Sequence, residues 1–187
     1  MPTTPVSLLE RLREPRNDAA WQSFFDLYAP VLLACARRYR LPDADQADLV
    51  QDVLVQVFVN LPRFERRADG SFRRWLRTIT HNKRLERLRR RSPQPMGGAA
   101  ELPLPEGPDA AEEFWSRDYP VQVVRQAFNL IRGDFTESTW QAAWKVLVEE
   151  RPAGEVATEL ALSVGAVHAA RFRVLARLRR ELGEMLE

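Results

Sequence analysis

The 187-residue chain carries 28 Lys and Arg against 26 Asp and Glu, a formal charge of only +2, with 45% hydrophobic residues and one cysteine. The lone Cys35 excludes a disulfide framework and a cysteine-based zinc site, and no run approaches the roughly 18 apolar residues of a membrane span. Met1 to Arg13 is too short and too charged for a signal peptide, so a soluble, reducing, cytoplasmic setting is expected.

Helical periodicity runs through both halves and no alternation of polar and apolar residues marks a strand, so the fold is expected to be all-α. Ser7 can cap a short helix that stops before Pro15. Asn17 or Asp18 can cap the next, which turns Trp21, Phe24, Phe25 and Tyr28 toward a core. Pro30 is expected to restart or kink the chain as the first residue of a helix reaching Arg40. Asp43 is then expected to cap a helix whose Val50, Val53, Leu54, Val57, Phe58 and Leu61 follow i, i+3, i+4 spacing. A loop, Glu65 to Gly70, precedes a long basic helix from Ser71 to about Arg91.

Six of the 13 prolines and three of the eight glycines fall between Ser92 and Pro120, which reads as a linker over residues 92–118. Charge divides along the same lines. Residues 1–91 hold 18 basic and 11 acidic side chains (+7), residues 92–120 hold one and six (−5), and residues 121–187 hold nine and nine. Two small helical domains, 1–91 and 119–187, joined by a flexible acidic linker are therefore expected, each burying roughly 60% of its unfolded surface.

In the second half, helices are expected near Tyr119–Ile131 and Glu137–Glu149, with Gly133 between them, Thr136 as a cap, and Trp140, Ala143, Trp144, Leu147 and Val148 as an apolar stripe. Pro152 opens a helix bearing Val156, Ala157 and Leu160; Ser163 can cap a second bearing Val164, Val167, Val174, Leu175, Leu178 and Leu182. A tight turn between two such helices fits a helix-turn-helix, with Gly165, Ala166, His168, Ala169, Phe172 and Arg173 away from the valine stripe. Small residues there let a backbone approach DNA, and His168 and Arg173 can reach bases or phosphates. Ala161 stands in the turn where a glycine is common. An ordinary helical hairpin with a solvated arginine face is the alternative.

Two further segments are unusual. Arg73, Arg74, Arg77, Lys83, Arg84, Arg87, Arg89, Arg90 and Arg91 crowd one helix beside Phe64, Phe72 and Trp75, a composition suited to a polyanion and to stacked bases; core packing of Trp75, Leu76 and Ile79 is the competing reading. Asp43, Asp45, Asp48 and Asp52, with Gln51 and Gln56, share another helix. Asp48 and Asp52 are like-charged i, i+4 neighbours, an unfavourable pair that a basic partner would relieve. A solvated face, a protein-contact face and a metal site all remain open there, although no nearby His or Cys supports zinc.

At these residues the chain resembles a family. Asp48-Leu49-Val50-Gln51-Asp52-Val53, then Phe72, Trp75-Leu76, Ile79, Asn82 and the arginine run, resemble region 2 of bacterial RNA polymerase sigma factors of the extracytoplasmic-function (ECF) group. Glu155-Val156-Ala157, Leu160, Ser163-Val164-Gly165-Ala166-Val167 and Arg173 resemble their region 4 helix-turn-helix. The segment around Trp140 and Trp144 and the end of the chain look most like the ECF factors of planctomycetes.

The resemblance implies a non-enzymatic initiation factor, without cofactor or metal, whose partners are core RNA polymerase (the β′ clamp and β flap), promoter DNA and an anti-sigma factor. Asp48, Gln51, Asp52 and Gln56 would dock on the β′ clamp coiled coil. Phe64, Arg66, Arg67, Phe72, Arg74, Asn82, Arg84, Arg87 and Arg90 would hold the opened minus-ten element, with a flipped base in the loop from Glu65 to Ser71. Ser163, Gly165, Ala166, His168, Ala169, Arg171 and Arg173 would read the minus-thirty-five duplex. Thr80, His81 and Ala170 depart from the family pattern. The mutual geometry of the two domains is expected to be set by polymerase, and the acidic linker to shield the basic half. A stand-alone helix-turn-helix regulator explains only the C-terminal half. A helical carboxylate hydrolase lacks a convergent acid, base and nucleophile, since His81 and His168 lie in separate domains.

Overall fold

The computed structural model describes residues 7–14, 16–64, 71–91 and 110–182, and all regular structure among them is helical. Helix α1 (Leu8–Leu12) starts in a capping box, in which the Ser7 hydroxyl accepts from the Glu10 N–H at 3.3 Å and the Ser7 N–H donates to the Glu10 carboxylate at 2.8 Å. Helix α2 (Asp18–Arg38) is capped by Asn17, whose side-chain oxygen accepts from the Ala20 N–H at 3.0 Å.

Two sequence expectations fail in this region. Helix α2 runs unbroken through Pro30. A proline costs a helix interior about 3 kcal/mol, but Leu27, Tyr28, Val31, Leu32 and Cys35 are buried on both sides of it, and their packing holds the helix together. Helix α3 (Asp43–Asn60) is not capped by Asp43, which is its first residue; Pro42 holds the cap position with no side-chain bond. The entry is fixed instead by Gln46, which donates to the Leu41 carbonyl at 2.6 Å.

A 3₁₀ turn, Leu61–Arg63, ends α3, and α4 spans Ser71–Arg91. The end of the expected linker is helical. Helix α5 (Ala110–Glu113) continues through a π-helical turn, Phe114–Asp118, into α6 (Tyr119–Ile131). Composition concealed this because the segment's large buried side chains, Phe114 and Trp115, are followed and preceded by polar and acidic residues, with the small Ala111 as the other buried one. Helix α7 (Glu137–Leu147) is capped by Thr136, α8 spans Ala153–Glu159 and α9 spans Val164–Leu182.

The N-terminal and C-terminal helices share a core. One apolar cluster takes in Leu8, Phe24, Leu27, Tyr28, Leu49, Val53, Phe72 and Leu76 from one side and Phe114, Trp115, Tyr119, Val123, Leu178 and Leu182 from the other. Polar contacts cross the same boundary: Arg38 to Asp118 at 2.5 Å, Arg77 to Glu112 at 3.0 Å, and Arg11 to the buried Glu181. The two former pairs are exposed enough to contribute about 0–1 kcal/mol each. A fully buried large apolar side chain contributes about 1.5–3 kcal/mol. Apolar burial therefore holds the halves together, and charge complementarity between the acidic segment and the basic helices sets the register. In this structure the halves orient each other, contrary to the expected dependence on an outside partner. A smaller cluster of Ala142, Val156, Ala157, Val167 and Ala170 belongs to α7, α8 and α9.

Candidate protein and nucleic-acid interfaces

The outer face of α3 carries Asp48 and Gln51, both exposed, with Asp52 and Gln56 partly so. One turn further on, the face becomes apolar: Val55, Phe58 and Val59 are 62%, 52% and 62% exposed. Phe58 was expected in the core; it lies outward with its ring 4.7 Å from that of Trp21. The i, i+4 run from Gln51 to Val55 to Val59 was legible in the sequence as a polar start with an apolar end. It was missed because Val and Phe on an amphipathic helix are read as core by default.

The like-charged Asp48 and Asp52 find their basic partner within the chain. The Arg87 Nε donates to Asp52 Oδ2 at 2.8 Å, Nη2 lies 2.7 Å from the same oxygen, and Nη1 donates to Asp48 Oδ2 at 3.2 Å. Partial burial lowers the Arg87 pKa, but the hydrogen bond and charge of Asp52, then those of Asp48, outweigh it and raise the pKa above its usual value.

Several residues expected on the minus-ten surface lie elsewhere. Phe72 is buried and packs against Phe24, Tyr28, Phe64 and Trp75, so no face of its ring is open to a base. Arg84 is also buried, its guanidinium 4.3 Å above the Tyr39 ring in a cation–π contact. Thr80 is buried, its hydroxyl donating to the Leu76 carbonyl. Arg74, Asn82 and Arg90 are exposed along α4, and Arg90 pairs with Glu86, whose carboxyl is held below its usual pKa first by Lys83 and then by Arg90. Phe64 and Trp75 are half-buried with rings 4.8 Å apart, an aromatic edge between the end of the 3₁₀ turn and α4. Arg66, Arg67 and the expected base-holding loop lie outside the described residues.

The two C-terminal helices form a tight turn. Ala161 sits at φ 53° just after the α8 cap, the Leu162 N–H donates to the Ala157 carbonyl at 2.9 Å, and the Ala161 N–H reaches that of Thr158. This is a Schellman turn with alanine in the left-handed position usually held by glycine. Ser163 then caps α9, its hydroxyl accepting from the Ala166 N–H at 3.1 Å. Ser163, Gly165, His168, Ala169, Arg171 and Arg173 are exposed and Ala166 partly so, while Phe172 is 70% exposed rather than packed. A Cβ on Gly165 would come no nearer than 3.9 Å to the Ser163 hydroxyl, so packing does not require glycine there. Ala170 is buried against α7 and α8, which leaves an arginine no room to stay solvated at that position.

Between α6 and α7 an apolar groove of about 730 Å³ is lined by Val121, Val124, Phe128, Trp144, Leu147 and Val148. Among the described residues no group of three or more His, Cys, Asp or Glu is placed to hold a metal ion, and no helix is long and apolar enough to cross a membrane.

The chain thus presents an acidic-to-apolar strip, a basic helix with an aromatic edge, and an exposed second helix of a helix-turn-helix. Surfaces of these compositions suit contacts with protein and with nucleic acid. Comparison with protein families agrees: residues 24–94 match the model of sigma-70 region 2, which covers α3, α4 and most of α2. The matched residues make up less than half of the chain, and it is for them that the similarity to sigma-70 region 2 holds. No curated protein matches the chain.

Proposed function

We propose that the chain is a sigma factor of the ECF group that binds core RNA polymerase and directs promoter-specific initiation in the cytoplasm. The observation that carries the reading is the exposed strip Asp48, Gln51, Asp52, Val55, Phe58 and Val59, which falls within the residues similar to sigma-70 region 2. A partner helix with a basic end and an apolar end, the kind of surface the β′ clamp coiled coil would offer, complements it.

Arg74, Asn82 and Arg90 then track the separated minus-ten strand, with the Phe64 and Trp75 edge available for a base. Stacking contributes about 1–3 kcal/mol per base against the cost of unstacking. The exposed α9 face from Gly165 to Arg173 reads the minus-thirty-five duplex. The α6 and α7 groove supports the β flap as a second contact. The Trp140 and Trp144 segment favours the planctomycete type, and an anti-sigma factor is the expected regulator. Bond-making belongs to the polymerase.

Reconstituted transcription tests this. The purified chain with core polymerase should initiate from a subset of promoters of its own genome; absence of both core binding and initiation sinks the proposal. Retained duplex binding in that case would favour a stand-alone regulator acting through the helix-turn-helix.

A further inference from the structure

Arg87 stands on α4 among the candidate DNA contacts, yet its guanidinium is held by the two carboxylates that head the candidate polymerase strip on α3. Nε and Nη1 each donate a hydrogen to a carboxylate oxygen, and Nη2 lies 2.7 Å from the Asp52 oxygen. The guanidinium keeps two N–H donors, but its charge is already matched by two carboxylates that stand where a phosphate would approach, so a phosphate must compete with them for Arg87. We propose that this ion pair is an exchange switch. In the free chain Asp48 and Asp52 sequester Arg87, and a cationic protein surface docking on α3 takes the carboxylates and releases Arg87 to a DNA backbone. The inference rests on the proposed reading of the two surfaces and adds a physical link between them.

Charge and exposure support an exchange rather than a fixed staple. Asp48, Asp52 and Arg87 together carry a net −1, which attracts a cation to α3 and repels a phosphate from this part of α4. Once a partner cation neutralises the carboxylates, the local balance passes to Arg87 and the neighbouring Arg90, and the same surface turns attractive to DNA. The side chains of Asp48 and Asp52 are 57% and 39% exposed and that of Arg87 is 22% exposed, so water can enter as the pair separates. A fully buried pair would resist exchange, because separating it strands a charge away from water.

A double-mutant cycle on the full chain tests the switch. Affinity for a fluorescein-labelled, mixed-sequence single strand is measured by anisotropy for the wild type, Asp48→Asn with Asp52→Asn, Arg87→Gln, and all three changes together. The Asn pair keeps shape and removes charge, and circular dichroism checks that each variant is folded. With Arg87 present, removing the carboxylates should raise affinity about tenfold, the value of one recovered charge-assisted contact. In the Arg87→Gln background the gain should shrink to about twofold, the general effect of less negative charge. Equal gains in both backgrounds overturn the switch. Titration with core polymerase is run in parallel. A wild type that binds core but shows an additive cycle refutes the switch alone, whereas failure to bind core refutes the polymerase reading and with it the docking step.

Discussion

The phenol oxygens of Tyr28 and Tyr119 lie 3.1 Å apart in the interior, joining α2 to α6 across 91 residues of sequence. Burial raises both phenol pKa values above 10, and Tyr39 is raised for the same leading reason. These are the chain's three tyrosines. A tyrosine whose folded pKa is raised binds its proton more tightly when folded. Its contribution is complete below the unfolded value near 10 and is lost as pH rises from there toward the folded value. We therefore expect urea stability to be flat with respect to these groups at neutral pH and to fall above pH about 10, by up to about 1.4 kcal/mol per pH unit for each tyrosine. Tyr28→Phe should cost about 1 kcal/mol at pH 7 and make the alkaline fall shallower by one proton. An unchanged alkaline slope in that variant would contradict the assignment.

The shared core limits what the closed chain can reach. A compact body of this length has a radius of gyration of roughly 16 Å and is about 40 Å across. The minus-ten and minus-thirty-five elements lie about 25 base pairs, or about 85 Å, apart on duplex DNA. On the proposed function, polymerase must separate the halves. Dyes on Gln22→Cys and Arg180→Cys, both exposed positions while Cys35 is buried, should show high energy transfer in the free chain and a large drop with core polymerase. Equal transfer with and without a promoter-competent core would count against separation.

On α3, Gln51→Ala with Phe58→Ala should weaken core binding by about tenfold or more, since a buried aromatic anchor of an interface commonly contributes 2 kcal/mol or more. Both side chains are exposed, so the melting temperature should move little. A titration that finds unchanged affinity would remove this face from the polymerase contact.

Gly165 separates stability from binding. Because an added Cβ would make only an ordinary 3.9 Å contact with the Ser163 hydroxyl, Gly165→Ala should stabilise α9 by up to about 1 kcal/mol through helix propensity. On the proposed reading it should nonetheless weaken binding to the cognate duplex, because a methyl is placed where the backbone meets the groove. Tighter binding accompanying higher stability would show that the backbone does not approach DNA there.

Ala161 holds a left-handed conformation that costs a residue with a Cβ about 1–2 kcal/mol, partly offset because glycine loses more entropy on folding. Ala161→Gly should raise stability by several tenths to about 1 kcal/mol with no change in the α9 face. Calorimetry on the two proteins checks the sign.

Regular periodicity made most helices legible: α6 ends at the expected residue, and the caps at Ser7, Asn17, Thr136 and Ser163 follow from short polar side chains ahead of apolar runs. At Asp43 the difference is local: Gln46, not Asp43, ties the start of α3 to the Leu41 carbonyl. At Pro30 and the 110–118 segment, local propensity pointed one way and contacts with distant residues decided otherwise. The same holds at the site. The residue types on α3, α4 and α9 were readable, but Arg84 over Tyr39, Phe72 in the core and Arg87 on Asp52 are pairings between elements, which one-dimensional spacing does not encode.

Because Tyr28, Leu27 and Phe24 share their core with Phe114, Tyr119 and Leu182, cutting the chain in the proline-rich stretch would not yield two finished parts. Each fragment would carry a freshly bared oily surface, prone to self-association and to sticking to any apolar groove offered to it. Dissected fragments are therefore expected to overstate affinity for partners, and the intact chain owes part of its selectivity to the fact that these surfaces are already occupied.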